Sequence, residues 1–403
     1  MDASNTKTLP KWVTPAATIG YILGIALLSC YVGLRLNRWI FLAFRWDTTW
    51  LITFLMGSFF CASMVVGKKY LVAGGPIRTW LCGVSTFVMI WLGIAFLATD
   101  VFCRLTRQTG LEDIRRTGWW VVLFVLVLSV LSFHHRKAIR VRKIPLPLVE
   151  GRCRMVLLSD LHIGYYVGKR HMAQIVRRVN ALKPDVVVIS GDLINAGNTA
   201  ECRQLPQVAL LLHKIDAPVY AVTGNHDPDA SDETFRTFLK TANVRLLDDE
   251  VETCDQYHLV GRSTCTKPRK PLTELLPDRS RPVIVLDHDP QGIREAIDAK
   301  ADLVLCGHTH RGQVFPLNLF VRLVYSAQQV YGLSTVDSTT AYVTAGAGYF
   351  SMPMRLGSTC EIVSFDLGTA PPVEPEQAPE QVPEQPAQEE AEPVPPSAEP
   401  SQT

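Results

Sequence analysis

The sequence predicts an α/β domain of about 220 residues carried behind a four-helix membrane region. Four long uncharged apolar stretches fill the first third of the chain, and seven short Val/Ile/Leu runs of strand length follow them. Beyond these the chain turns to Pro, Glu, Gln and Ala. The 403 residues are 47% hydrophobic and only 19% charged, below the roughly 25% usual for soluble domains. The net charge of +2 is uneven: eight Glu and no Lys or Arg occupy the last 35 residues, so residues 1–368 carry +10. A wholly disordered chain and a collagen-like chain are excluded by this composition, and ten Cys are too dilute for a small disulfide scaffold.

The uncharged stretches cover residues 12–34, 48–67, 79–99 and 117–133, or 23, 20, 21 and 17 residues. About 20 apolar residues of helix cross the hydrocarbon core. The fourth is shortest, but Trp119 and Trp120 suit an interfacial anchor leading into a span. A signal peptide is the other reading of the first stretch; three further stretches follow directly, so it reads as a span. Four spans leave both termini on one side. Basic residues flanking the spans number ten on that side and seven on the other, which points the C-terminal region to the cytoplasm of a multi-pass inner-membrane protein. Residues 136–143 hold five basic side chains, as a stop-transfer flank or as an attraction for anionic lipid heads.

The strand-like runs are residues 155–158, 186–189, 219–222, 283–286, 303–305, 342–344 and 362–365. Continuous apolar runs of this length read as strands buried on both faces. Between the first two, Met172, Ile175, Val176, Val179 and Leu182 fall at helical spacing, which makes a βαβ opening. The expected organisation is therefore a transmembrane region over 1–143, an α/β domain over 144–368 and a disordered acidic tail over 369–403. The tail cannot bury enough apolar surface to offset chain entropy.

Polar residues recur where these strands end: Ser159-Asp160-Leu161-His162, Gly191-Asp192, Gly224-Asn225-His226-Asp227, Asp287-His288-Asp289 and Gly307-His308-Thr309-His310. In α/β sheets ligands bind at the C-terminal strand edge. Five segments in this order, D-x-H, G-D, G-N-H-D, H and G-H-x-H, resemble the calcineurin-like metallophosphoesterase signature. The segments Leu305–Gln313 and Met354-Arg355-Leu356-Gly357 resemble the membrane-anchored bacterial branch of that family, including UDP-2,3-diacylglucosamine hydrolase-type enzymes. One departure is Arg311, where a Gly is common; it leaves the metal ligands intact and alters substrate contacts.

The resemblance implies an αββα sandwich with two divalent ions, Mn²⁺, Fe or Zn²⁺, bridged by Asp192. Asp160, His162 and His310 would complete one ion's ligands, and Asn225, His288 and His308 the other's. Imidazole, carboxylate and amide oxygen suit those metals, and no thiolate site is indicated. Two such ions activate water and clamp phosphoryl oxygens together. His226 is the expected general acid. Asp227 either orients His226 or is a turn residue before Pro228. Asp287 and Asp289 read as structural, His171 and His213 as surface residues, His258 as structural, and the six Cys of the domain as free thiols.

After the last metal motif, residues 314–325 are rich in apolar side chains, Phe320 and Leu323 among them, and Tyr349, Phe350, Met352 and Met354 form a second apolar group. These read either as packing onto the sheet or as a wall that accepts acyl chains or dips into the bilayer; Arg311, Phe320 and Leu323 are the expected substrate contacts. The expected partners are the lipid bilayer and a phosphorylated amphiphilic small molecule, with no nucleic acid and no obligate protein partner indicated. The expected function is a membrane-anchored phosphohydrolase cleaving a phosphoester or pyrophosphate bond, with UDP-2,3-diacylglucosamine of lipid A synthesis as the substrate the resemblance suggests. The rivals are a broader phosphodiesterase of nucleotides or phospholipids and an inactive membrane sensor or scaffold.

Overall fold

The computed structural model describes residues 13–46, 75–195, 204–266, 268–276 and 278–369. Three helices among the described residues are long and apolar enough to cross a membrane. They are α1 (Val13–Phe44), α2 (Gly75–Leu105) and α3 (Leu111–His135). The expected span over 48–67 and the tail from residue 370 lie outside the described residues. Leu28 and Val32 of α1 pack at Gly93 of α2, and seven residues further along Arg35 pairs with Asp100. Hence α1 and α2 run parallel. α3 returns antiparallel, with Trp91 of α2 6.1 Å from Phe124 and Trp80 5.7 Å from Phe133.

The helices outrun the uncharged stretches, so charges that the sequence places in flanks stand inside helices. Asp100 accepts from Tyr31 at 2.7 Å as well as from Arg35. Pairing removes much of the cost of such groups in an apolar setting.

All seven sequence-predicted strands form, and five more join them in two six-stranded sheets. One sheet has the order β1 (Ile139–Val149), β12 (Cys360–Gly368), β2 (Arg154–Leu158), β3 (Val186–Ser190), β4 (Val219–Val222), β5 (Val244–Leu246). The other runs β10 (Gly332–Val336), β11 (Thr339–Val343), β9 (Leu303–Cys306), β8 (Val283–Leu286), β7 (His258–Gly261), β6 (Glu250–Thr253). Alternate side chains on a strand face opposite ways, which is why unbroken apolar runs serve both faces. Met155 and Leu157 enter the core between the sheets, with Val188, Leu286, Leu305 and Phe365. Val156 and Leu158 face the helix layer formed by α4 (Lys169–Ala181), α5 (Leu205–Leu212) and α6 (Glu233–Ala242). Val285 and Val304 face α8 (Ile293–Asp298) on the far side, after the short α7 (Leu272–Leu275). The four layers match the expected αββα sandwich.

β1 begins at Ile139, inside the basic strip. Arg136 closes α3 as a buried cation, 3.7 Å from the Phe133 ring centroid and 5.0 Å from that of Trp80. The helical region and the sandwich share an apolar cluster in which Val314, Met352 and Met354 pack with Phe87, Trp91, Val121 and Val125. Two short helices, α9 (Leu317–Val324) and α10 (Ala327–Val330), precede β10.

Candidate functional site

The C-terminal ends of β2, β3, β4, β8 and β9 carry the five polar segments, and the fold brings them to one place. The turn after β2 places Asp160 and His162 at φ +52° and +45°, and the turn after β9 places His308 and His310 at +69° and +49°. In each pair the residue between is in another conformation, so side chains two apart project to the same side. Asp192 after β3 is also left-handed, at +53°. The motif glycines make room: a Cβ at Gly307 would collide with Ser159 and Asp160, and one at Gly224 with Asp192.

Two clusters result. Asp160, His162 and His310 form one, with His162 Nε2 3.0 Å from His310 Nε2 and His310 Nε2 3.4 Å from Asp160 Oδ1. Asp192, His288 and His308 form the other, with His288 Nε2 3.2 Å from Asp192 Oδ2 and 3.1 Å from His308 Nδ1. Asn225 Oδ1 joins it, 3.1 Å from His288 Nε2. Asp192 Oδ2 also lies 3.5 Å from His162 Nε2, so one oxygen faces both clusters. His288 Nδ1 lies 2.8 Å from the Ser190 carbonyl, which fixes that nitrogen as donor and turns Nε2 inward.

The electrostatics fit a cation site. Burial penalises the charge on His288, but Asp192 and then Asp160 overcome this and raise it to about 10. Burial alone would raise Asp192; His288, then His162 and His226, hold it well below the carboxylate range instead. Burial drops His162 to about 3, against the pull of Asp192, and burial with His162 and Arg355 drops His310 well below the usual value. Asp160 rises to about 6 through burial, opposed by His288. Among the described residues, imidazoles and carboxylates converge without a thiolate, the donor set that first-row divalent ions take.

His226 is half-buried beside the first cluster, its ring 5.4 Å from His162, and its backbone N–H donates to Asp192 Oδ1 at 2.9 Å. Asp227 gives its carboxylate to the backbone: Oδ1 accepts from Ile194 N–H at 2.8 Å and Oδ2 from Gly224 N–H at 2.9 Å. Of its two expected readings, the turn anchor is the one this geometry fills. Burial, then Asp192, raises its carboxyl to about 7, opposed by those backbone bonds.

Asp287 pairs with Arg269 at 2.8 Å and Asp289 caps the turn at Gln291, both structural as expected. His171 is not a surface residue: it is buried, and its Nε2 lies 2.8 Å from the Ala347 carbonyl. His213 is exposed and His258 buried. Cys153, Cys254, Cys265, Cys306 and Cys360 are free, whereas Cys202 lies outside the described residues.

Two residues near the clusters, Gln313 and Arg355, had no role in the sequence reading, and Phe350 was expected only as part of an apolar group. Phe350 packs on His226 at 4.3 Å, His162 at 4.9 Å and His310 at 6.4 Å between ring centroids. Gln313 is buried and clasps the loop that carries Phe350: Nε2 donates to the carbonyls of Phe350, Met352 and Met354, and Oε1 accepts from Phe350 N–H. Arg355 is fully buried behind the same loop, donating to the Ala345 and Gly348 carbonyls and to Ser358 Oγ. The signal was available: a Gln just past a ligand motif and an Arg between apolar residues are polar groups that burial obliges to find partners.

Of the expected substrate contacts, Arg311 is exposed beside His310, at φ +51°, with its guanidinium 4.3 Å over the Tyr331 ring. Phe320 and Leu323 stand exposed on α9 and are not packed around the clusters. The helix leads to Tyr325, whose ring is 6.1 Å from that of His308.

Residues 153–312 match the profile of the calcineurin-like phosphoesterase family. A Bos taurus protein described as a transmembrane protein with metallophosphoesterase domain is 33% identical over 306 residues, covering 66% of this chain and 67% of the relative. A Danio rerio protein of the same description is 34% identical over 254 residues, covering 58% and 56%. An uncharacterized metallophosphoesterase of Helicobacter pylori strain J99 is 29% identical over 292 residues, covering 68% and 76%.

Proposed function

The chain belongs to the calcineurin-like phosphoesterase family, and from that premise we propose that it is a membrane-held phosphohydrolase with two divalent ions, acting on an amphiphilic phosphoester or pyrophosphate. The observation that carries the reading is Asp192 Oδ2, which faces both His/Asp clusters within 3.5 Å. A carboxylate so placed is what a pair of ions needs as a bridge. Asp160, His162 and His310 would hold one ion, and Asn225, His288 and His308 the other. Ions bound there supply positive charge that polarises phosphoryl oxygens and lowers the pKa of water.

The chain's own groups do the rest. His226, at the edge of the first cluster, donates a proton to the leaving oxygen. Its backbone is tied to Asp192, so acid and metal site keep one spacing. Phe350 covers His162, His226 and His310 and keeps water from that side. Arg311, exposed beside His310, supplies a cation to a second phosphate or an anionic head group.

Three apolar helices packed against the loops of the site favour a substrate taken at the membrane surface. We place the domain on the cytoplasmic face of the inner membrane, from the ten-to-seven bias in flanking basic residues. UDP-2,3-diacylglucosamine is the narrowest member of the substrate class and enters here as a test compound.

The test is hydrolysis by the detergent-purified full chain, with Mn²⁺ added and then chelated, and Asp192→Ala as the blank. A bis-aryl phosphodiester, a phospholipid and UDP-2,3-diacylglucosamine are run side by side. Metal-dependent turnover absent from the blank is the expected result, with lipid preferred over aryl ester. Equal rates for the variant and the parent on all three would refute the assignment of the site.

A further inference from the structure

We propose that α9 lies in the bilayer as a short non-spanning helix at the rim of the metal site, and that a phosphoester lipid is presented there with its acyl chains along this helix. The inference rests on the membrane-held phosphoesterase reading and specifies where that enzyme meets its substrate. Four large apolar side chains of α9 are exposed: Leu319 at 49%, Phe320 at 62%, Leu323 at 81% and Val324 at 72%. Spaced i, i+1, i+4 and i+5, they share one helix face. Among the described residues nothing covers them, and a contiguous apolar face of this kind marks a contact surface.

The occupant follows from the level at which α9 begins. Phe315, two residues before the helix, has its ring 6.0 Å from Trp91 of α2, and Trp91 lies 6.1 Å from Phe124 of α3. Phe124 is nine residues from Phe133, where α3 meets the sandwich; at 1.5 Å per residue that is about 13 Å along the helix. Around this level α3 turns Leu123, Phe124, Leu126, Val127, Val130 and Leu131 outward. The exposed face of α9 therefore continues the apolar surface of helices long enough to cross a membrane, and shares their surroundings. Its other end is fixed as firmly, because Tyr325 directly follows the helix and packs on the ligand His308. Eight helical residues, about 12 Å of rise, thus join the lipid level to the metal cluster.

An acyl chain lying along α9 would bring its head group to His308 without leaving the bilayer. Arg322 on α9 and Arg311 beside His310 are both exposed, and suit a head group that carries phosphate.

The experiment places the photoreactive residue p-benzoylphenylalanine at Phe320 or Leu323 of the full chain in vesicles of phosphatidylcholine and phosphatidylglycerol. Leu126 on α3 and Leu210 on α5, 59% and 57% exposed, are the membrane and off-membrane references. Lipid adducts at 320 and 323 within about threefold of those at 126, and at least about tenfold above those at 210, are expected of an interfacial helix. Adducts at 320 and 323 no higher than at 210, while 126 labels, overturn the inference and leave the membrane-held reading standing. Failure of 126 to label overturns both. In a second arm, Phe320→Glu with Leu323→Glu is expected to lower the ratio of kcat/KM for a vesicle phospholipid to that for a soluble bis-aryl diester by about tenfold or more. An unchanged ratio overturns the acyl-chain path.

Discussion

Gln313 is the sharpest single test of how the site is held. Its side chain offers two N–H donors, shared among the Phe350, Met352 and Met354 carbonyls at 2.9, 3.0 and 3.2 Å, and one acceptor for Phe350 N–H at 2.8 Å. Gln313→Leu keeps nearly the same volume and removes all of them. Three hydrogen bonds at a net ~0.5–1.5 kcal/mol each give ~1.5–4.5 kcal/mol, and each backbone group left buried without a partner adds ~1–3 kcal/mol. Because the clasped loop carries Phe350 onto His162, His226 and His310, the loss is expected in catalysis as well as stability. The expected outcome is a clearly lower melting temperature for the full chain in detergent and a kcat/KM on a bis-aryl diester reduced at least ~tenfold, equivalent to ~1.4 kcal/mol. Gln313→Glu keeps the acceptor and the shape but sets a carboxylate against three carbonyl oxygens. It should be worse than Leu at neutral pH, and recover partly as acid restores a donor. A Leu variant within twofold of the parent in kcat/KM would refute the reasoning.

Asp192→Asn is expected to cut bound metal from two ions per chain to one or fewer, together with activity; elemental analysis showing two ions retained would remove Asp192 from its bridging place. Arg355→Met leaves the Ala345 and Gly348 carbonyls without their buried donor, at 2.9 and 2.6 Å, and is expected to cost ~3–5 kcal/mol, read as a fall in melting temperature of several degrees. His171 is held below its ordinary pKa by burial, opposed by its bond to Ala347, so the folded state binds its proton more weakly than the unfolded chain. Its contribution is then complete above the unfolded value of ~6.5 and is lost as pH falls from there toward the folded value. His171→Gln should flatten that region of the melting-temperature profile, and an unaltered acid limb would count against it.

Four of the five strands that escaped the sequence reading have a common physical cause. β1, β5, β6 and β10 are the edges of their sheets, where one side is open and polar side chains are admitted. β1 interleaves Arg140, Arg142 and Lys143 with apolar residues, and so reads as a basic flank. β7 is internal, but His258 and Gly261 at its ends leave only Leu259 and Val260 as an apolar run. The interior strands announce themselves because both faces must be apolar, and the expected ligands could be placed because each follows such a strand. Gln313 and Arg355 were not assigned a role, and Phe350 was read only as part of an apolar wall, since their partners are backbone carbonyls and ring faces that come together only in the folded chain. Asp227 shows the same limit: the segment that contains it was legible, and the recipient of its carboxylate was not.

Backbone strain explains why the motif glycines and the ligands occur together. Five of the seven expected ligands are non-glycine residues at φ between +45° and +69°. At ~1–3 kcal/mol each, that is ~5–15 kcal/mol, as large as the whole stability of a typical domain. Such turns persist only where the surroundings over-determine them. Asp160 N–H donates to the Gly191 carbonyl at 3.0 Å, and His162 N–H to that of Asp192 at 2.9 Å. Gly348 N–H donates to the Asp160 carbonyl at 3.0 Å, and His308 N–H to the Asp160 carboxylate at 3.1 Å. These bonds need the strand-end turns to approach one another more closely than a Cβ allows, and glycines stand at the points of approach: 191, 224, 307, 346 and 348. A side chain at any of them would push neighbouring turns away from each other and release one of the strained residues. The conformation that aims five side chains at one place is therefore stored in the glycines between them.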